Sequence, residues 1–436
     1  MVAWWSVEKG EVENMKGEVG RRFKPYPKYK DSGVEWLGEV PVHWEVKRIK
    51  YLARIASGFA PPPSYDKLIG EYPVYGSNGL IGYCDVFMVS EETLAVGRVG
   101  ASGLVNVVPG FSWVSDNALL LRDLRPTTRL QWLRYVLETM NLGTQAAKNA
   151  QPIITGTFLA NQALPAPSEQ EQLAIASFLD HETAKIDALI AQKDRLIELL
   201  QEKRTALITR AVTKGLNPNV PMKDSGVEWL GGIPVNWKTM LLKRLASIRY
   251  GLGEPPRELL DGIPFLCATN VKRGTISDID LKKVDPDDVP WGRDPVLRKG
   301  EIIVVRSGAY TGDSALIPAE YDGAIVGYDM VLHIERAYPE FIAWALLSKY
   351  VLDAQIEICR TRAAQPHLNA EELGGVFMFL PGEKEQRIIS EFLTRKIDEA
   401  DALVAKIQKG IERLKEYRTA LISATVTGKI DVREAA

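Results

Sequence analysis

Cysteine and histidine are scarce in this chain. Cys84, Cys267 and Cys359 lie far apart at no disulfide or zinc spacing, and the four histidines share no motif with a carboxylate. Neither a disulfide framework nor a metal centre is expected, and the thiols read as apolar filler. No run of about 18 apolar residues occurs, so no membrane span is expected. The opening MVAWWSVEKGEVENMKGEV is interrupted by charges and carries no secretory core, which makes the cytoplasm the expected compartment.

Catalytic motifs are missing too. There is no GxxxxGK[ST] phosphate loop, no GxGxxG opening a helix and no GxSxG elbow. There is also no Asn-Pro-Pro-aromatic or Asp-Pro-Pro-aromatic tetrapeptide of the kind amino-methyltransferases set against a target base. Asp85, Asp116 and Asp313 are isolated carboxylates, which are mostly solvated. The chain reads as a non-enzyme. It has no basic excess either: net charge is −2 and the pI is near 6.2. Glu45 to Ala160 carries 11 basic and 9 acidic residues, and Lys238 to Gly374 carries 17 and 20. Any nucleic-acid contact must come from a local patch or from a partner that supplies the phosphate clamp.

What the chain does contain, it contains twice. KDSGVEWLGEVPVHW at 30–44 recurs 193 positions later as KDSGVEWLGGIPVNW, with twelve of fifteen residues identical. Glu171 to Thr213 aligns without gaps on Glu385 to Thr427, 214 positions on, with 20 of 43 identical. The stretches enclosed, Glu45 to Leu164 and Lys238 to Leu380, share little beyond scattered glycines. A constant frame therefore holds two variable inserts.

The frame is helical. Phe178, Leu179, Ile186, Leu189, Ile190, Leu196, Ile197, Leu200, Leu207 and Ile208 recur at helical spacing, with Ser168 and Glu171 placed for a capping box. Phe392, Leu393, Leu403, Val404, Ile407, Ile411, Leu414, Leu421 and Ile422 form the second stripe, which has a weak point at Gly410. Each stripe is the natural cover for the other, as in a coiled-coil strut; the alternative is that each helix packs only on its own domain. Lys193 and Lys203 fall on or near the seam. The inserts mix strand patterns at Tyr72 to Tyr83, Glu301 to Arg306 and Ala324 to Ile334 with helical ones at Leu130 to Met140 and Pro339 to Leu352. An α+β class follows: two globular domains joined by two long antiparallel helices. Joining the end of the chain to its beginning would recreate the central junction around Lys214 to Gly226, which predicts a circular, pseudo-twofold arrangement.

Glycine-flanked polar clusters supply the candidate contacts. Ser77 and Asn78, Arg98, Asn270 with Lys272 and Arg273, and Arg306 with Ser307 and Tyr310 suit the reading of base edges, where Arg forks onto guanine and Asn onto adenine. Lys148 and Asn149 precede Gln151-Pro152, as Arg360 and Arg362 precede Gln365-Pro366, and these could reach phosphate. Hairpin turns with solvated side chains, and a structural anchor at Gln-Pro, are the competing readings.

Trp36, Leu37, Gly38, Pro41 and Trp44, repeated as Trp229, Leu230, Gly231, Pro234 and Trp237, open the inserts. Leu164, Pro165, Glu171 and Gln172, repeated as Leu380, Pro381, Glu385 and Gln386, close them. With the Gly-Ser-Asn-Gly run at Gly76 to Tyr83, this doubled order closely resembles the specificity subunits of type I restriction-modification systems. The resemblance implies target-recognition domains at 23–164 and 223–380, and conserved helices with their flanks at 165–222 and 381–436; residues 1–22 match nothing in the second copy and read as an N-terminal extension. It implies double-stranded DNA as ligand, and two modification (methyltransferase) subunits and restriction/translocase subunits as partners. S-adenosylmethionine, ATP and magnesium would be bound by those partners and not by this chain. A two-module protein-interaction scaffold without DNA binding is the rival reading, favoured only by the acidity.

Overall fold

The computed structural model describes residues 22–146, 153–226, 231–360 and 366–434. The expected extension therefore lies outside them, apart from Arg22. The chain divides into two compact units, one of residues 1–193 with 408–436 and the other of residues 194–407. The first unit is thus assembled from both ends of the sequence.

Each long helix contributes to both units. The first spans Glu169–Lys214 and the second Glu383–Val426. The capping box starts the first: the Glu171 amide donates to Ser168 Oγ at 3.3 Å, and the Ser168 amide donates back to the Glu171 carboxylate at 3.3 Å. In the first unit Ile175, Phe178, Leu179 and Ile186 share a core with Ala420, Leu421 and Ile422, and Arg418 pairs with Asp187 at 3.0 Å. In the second, Ile208, Ala211 and Val212 share a core with Ile389, Leu393 and Ile397, and Arg204 faces Asp401 at 3.7 Å. Numbering rises along one helix as it falls along its partner, so the pair is antiparallel.

Two details depart from the sequence pattern. Leu189 and Leu196 stand 41% and 44% exposed, because a two-helix seam buries a narrower stripe than the one the apolar residues trace. Gly410 leaves the helix unbroken, and Lys193 lies across it, its Nζ 3.8 Å from where a Cβ would be.

Each unit carries a four-stranded antiparallel sheet of the same order. In the first it runs Arg54–Ser57, Ala118–Arg122, Thr93–Gly97, Val105–Val108; in the second, Ala246–Tyr250, Met330–Ile334, Ile302–Val304, Ser314–Leu316. A three-stranded sheet sits beside it, with a parallel pair of Val74 on Trp113 and, in the second unit, Phe265 on Ile325. A short helix, Leu130–Thr139 or Pro339–Leu346, covers the larger sheet with Trp132 or Phe341 in the core. The segment Ala324 to Ile334 is not one strand: Ile325–Val326 and Met330–Ile334 belong to different sheets, with the turn at Gly327 between them. Among the described residues no helix is long and apolar enough to cross a membrane.

Candidate functional site

The repeated motifs turn out to be fasteners. Lys30 pairs with Val40 and Lys223 with Ile233, so each KDSG segment forms one hairpin with its Pro41 or Pro234 strand. The buried tryptophan that follows reaches the long helix: Trp44 Nε1 donates to the Glu171 carboxylate at 3.2 Å, and Trp237 Nε1 to Glu385 at 3.2 Å. The neighbouring glutamine grips the short helix. Gln172 accepts from the Arg129 amide at 2.9 Å and donates to the Pro167 carbonyl at 3.0 Å; Gln386 does the same with Tyr338 at 2.8 Å and Pro381 at 2.9 Å. The ends of each insert also pair, Glu45–Arg48 with Ala163–Ala166 and Lys238–Leu241 with Phe377–Leu380. Burial alone would raise the Glu171 carboxyl, but hydrogen bonds from His43, Trp44 and Ser168 outweigh it and hold the group below the ordinary range.

On this frame the two inserts present one shared loop. Strands Thr93–Gly97 and Ile302–Val304 both lead into an arginine, Arg98 and Arg306, whose carbonyls accept from the amides of Ile154 and Leu368 at 3.1 and 2.8 Å. Both loops then turn through two left-handed glycines, Gly100 and Gly103 at φ 77° and 86°, Gly308 and Gly312 at 84° and 91°. Both close by equivalent bonds, Gly103 amide to Gly97 carbonyl and Gly312 amide to Val305 carbonyl, each 2.8 Å. RVGASG and RSGAYTG are therefore the same element with one residue inserted.

The two arginines share one hydrogen-bonding feature. Nε of each is buried without an acceptor. Among the described residues the Arg98 side chain has no hydrogen bond or ion pair, and the Arg306 side chain has one hydrogen bond, from Nη2 to His367 Nε2 at 3.1 Å. A buried guanidinium N–H without an acceptor is costly in a folded protein. The same state occurs at the same place in both units.

Other candidates fare differently. Asn270 is 2% exposed, its Oδ1 accepting from the Cys267 amide and its Nδ2 donating to the Ser277 and Ile279 carbonyls at 3.1 and 3.2 Å. Its amide is spent inside the hairpin, which withdraws it as a base reader. Ser77 is likewise buried, its hydroxyl on the Asn117 carbonyl, and it holds the loop instead of reading through it. Asn78 is exposed at the neighbouring turn. Lys272 is exposed, and Arg273 braces the arginine loop through Asp313 at 3.4 Å. Ser307 bridges to His367, and Tyr310 is exposed on the loop itself. Arg360 ends the helix Glu357–Arg360, while Lys148, Asn149 and Arg362 lie outside the described residues.

Sequence reasoning missed the residues beside the arginines. Register across the sheets gives Ser57 and Asn117 the positions that Tyr250 and Tyr328 hold beside Arg306. The signal was a glycine: a Cβ at Gly58 would lie 2.2 Å from the Ser115 carbonyl oxygen, and one at Gly251 2.0 Å from that of Gly327. Backbones this close require glycine, so the residue before each marks the rim of the loop.

Residues 41–199 match the family model described as type I restriction modification DNA specificity domain. The chain is 23% identical over 413 residues to the type I restriction enzyme MjaVIII specificity subunit of Methanocaldococcus jannaschii, covering 90% of this chain and 94% of that protein. It is 22% identical over 292 residues to the EcoBI specificity subunit of Escherichia coli, covering 64% of this chain but 60% of that protein. A chain solved in work on complex assembly and conformational transition of the type I R-M system shares the fold, with a TM-score of 0.65 at 14% identity, covering 89% of this chain and 98% of the other. The doubled frame and its fasteners agree with these likenesses: over most of its length the chain is similar to the specificity subunits of type I restriction-modification systems.

Proposed function

We propose that this chain is the DNA-recognition subunit of a type I restriction-modification complex, reading a split, asymmetric duplex sequence with one unit per half. The observation that carries this is the shared loop, in which Arg98 and Arg306 hold guanidinium groups that the fold leaves short of acceptors. Arginine forks onto guanine O6 and N7 in the major groove, and a base edge supplies the missing acceptors. The flanking residues differ between the units, which is why the halves are expected to differ in sequence.

The long helices set the number of unread base pairs between the halves. Methylation belongs to two modification subunits that bind S-adenosylmethionine, and cleavage with ATP-driven translocation to restriction subunits that use ATP and magnesium. The near-neutral charge fits this division, since partners complete the positive surface around the duplex.

Mapping modified bases in cells that carry the chain with its modification subunits tests the reading. One split adenine-methylated sequence is expected, and it should vanish when this chain is deleted. Modification that persists without the chain, or that ignores sequence, would refute it.

A further inference from the structure

Two aromatic rings pack against Arg306. Its guanidinium carbon stands 4.6 Å from the Tyr250 ring centroid and 4.2 Å from that of Tyr328. Tyr250 is itself fixed, because its hydroxyl accepts from the Ala370 amide at 2.8 Å at the start of the short helix Ala370–Gly374. His367 Nε2 accepts from Nη2 on one side, since a guanidinium can only donate. Both tyrosines are on the surface, 42% and 48% exposed, so the clamp lies at the rim and not in the core.

The clamp leaves one direction open. With Nε buried and Nη2 bonded to His367, Nη1 is, among the described residues, the one guanidinium nitrogen neither buried nor bonded. The side chain is thus pre-set in a single plane and presents an edge, the shape that pairs with a guanine edge and loses little entropy in doing so. Among the described residues no aromatic ring packs on Arg98. Ser57 and Asn117 stand at the two equivalent places, are exposed, and offer no aromatic face.

We infer that the pair of residues at the two corresponding positions beside the loop arginine, 250 with 328 and 57 with 117, decides how strictly that arginine discriminates its base pair. Resting on the DNA-recognition reading above, this makes the second unit strict at one G·C pair and the first unit permissive at the corresponding one. Tyr250 and Tyr328 act through Arg306 and are positioning residues. The chemistry requires no further group: the rings remove the alternative rotamers in which a guanidinium bonds a wrong base or a phosphate.

The test uses the full chain assembled with its modification subunits and a library of duplexes randomised separately in each half. Arg306→Lys keeps the charge, loses the fork and identifies the base pair, with preference there falling roughly tenfold to hundredfold. The double variant Tyr250→Ser with Tyr328→Asn, which installs the first unit's pair, is expected to lose about tenfold preference at that same base pair. Every other position, and the whole first half, should be unchanged. The reciprocal Ser57→Tyr with Asn117→Tyr should sharpen one position of the first half. The intact first-half profile certifies that each second-unit variant is folded and bound. A double variant that keeps full preference, loses it at a different base pair, or weakens all positions alike overturns the inference. A native complex that selects no sequence in either half fails earlier and overturns the DNA-recognition reading instead.

Discussion

Asp329 lies directly behind Arg306, and its carboxyl offers a quantitative check on the second unit. The side chain is 2% exposed and accepts from the Arg306 amide at 3.2 Å. Burial pushes its pKa from 3.8 up to about 6, against the opposing pull of the Arg306 amide and charge. Because the folded state holds this proton up to about pH 6 and the unfolded chain only to about pH 4, the folded state binds more protons between the two values. Stability from this group therefore rises as pH falls through 6 and levels off below 4. The shift of about two units corresponds to about 3 kcal/mol over the whole window, and to about 1.4 kcal/mol between pH 8 and pH 5. Asp329→Asn keeps an acceptor for the Arg306 amide and removes the titration. Urea unfolding of wild type and variant, followed by hydrogen exchange in the strand Met330–Ile334, should show the variant ahead at pH 8 and the gap closing by about 1.4 kcal/mol at pH 5. The first unit has Ala118 at the equivalent place and provides an internal control, its exchange unmoved. A gap that does not change with pH, or that widens on acidification, would refute the reasoning.

Three further outcomes are expected. Trp44→Phe keeps the packing but leaves the buried Glu171 carboxylate a donor short, and should destabilise the first unit by about 1–3 kcal/mol in denaturant unfolding while the second unit is unaffected. Glu171→Gln should reduce the loss of first-unit stability on acidification, because a carboxyl held below its ordinary range contributes stability that is present at neutral pH and lost as the pH falls through the folded value. Removing two matched heptads from both long helices shortens each by about 21 Å, and selection from duplexes with variable gaps should favour a shorter gap with both half-sequences unchanged; altered half-sequences would defeat the spacer idea.

The frame was legible in the sequence because its residues act locally or in register. Ser168 and Glu171 cap a helix within one turn, and the apolar stripes declare their own period. The recurrence of Trp with Glu-Gln gave away that the two belong together, although not that tryptophan donates to the glutamate. The inserts were harder. Asn270 looked like a surface reader because Thr-Asn-Val-Lys-Arg-Gly is a turn by composition, and only the fold shows that the hairpin closes over its amide. The equivalence of Arg98 with Arg306 was hidden by one inserted residue and by neighbours that come from strands distant in sequence. Tyr250 and Tyr328, 78 positions apart, both reach Arg306 because the strand that ends at Tyr250 pairs with the strand that follows Tyr328.

The first unit draws its core from two stretches some 230 residues apart in the chain. Tyr26 and Trp44 share it with Val426, Ile430 and Val432; the Asp431 amide donates to the Lys24 carbonyl at 2.7 Å, and Lys429 Nζ to the Glu39 carbonyl at 2.6 Å. A ribosome delivers residues 23–193 early, yet the helix segment and tail that seal them emerge after the entire second unit. The half made first is finished last, and until then it exposes aromatic surface in a crowded cell. Loss of only the last two dozen residues would therefore cost the chain its earlier reader and spare the later one.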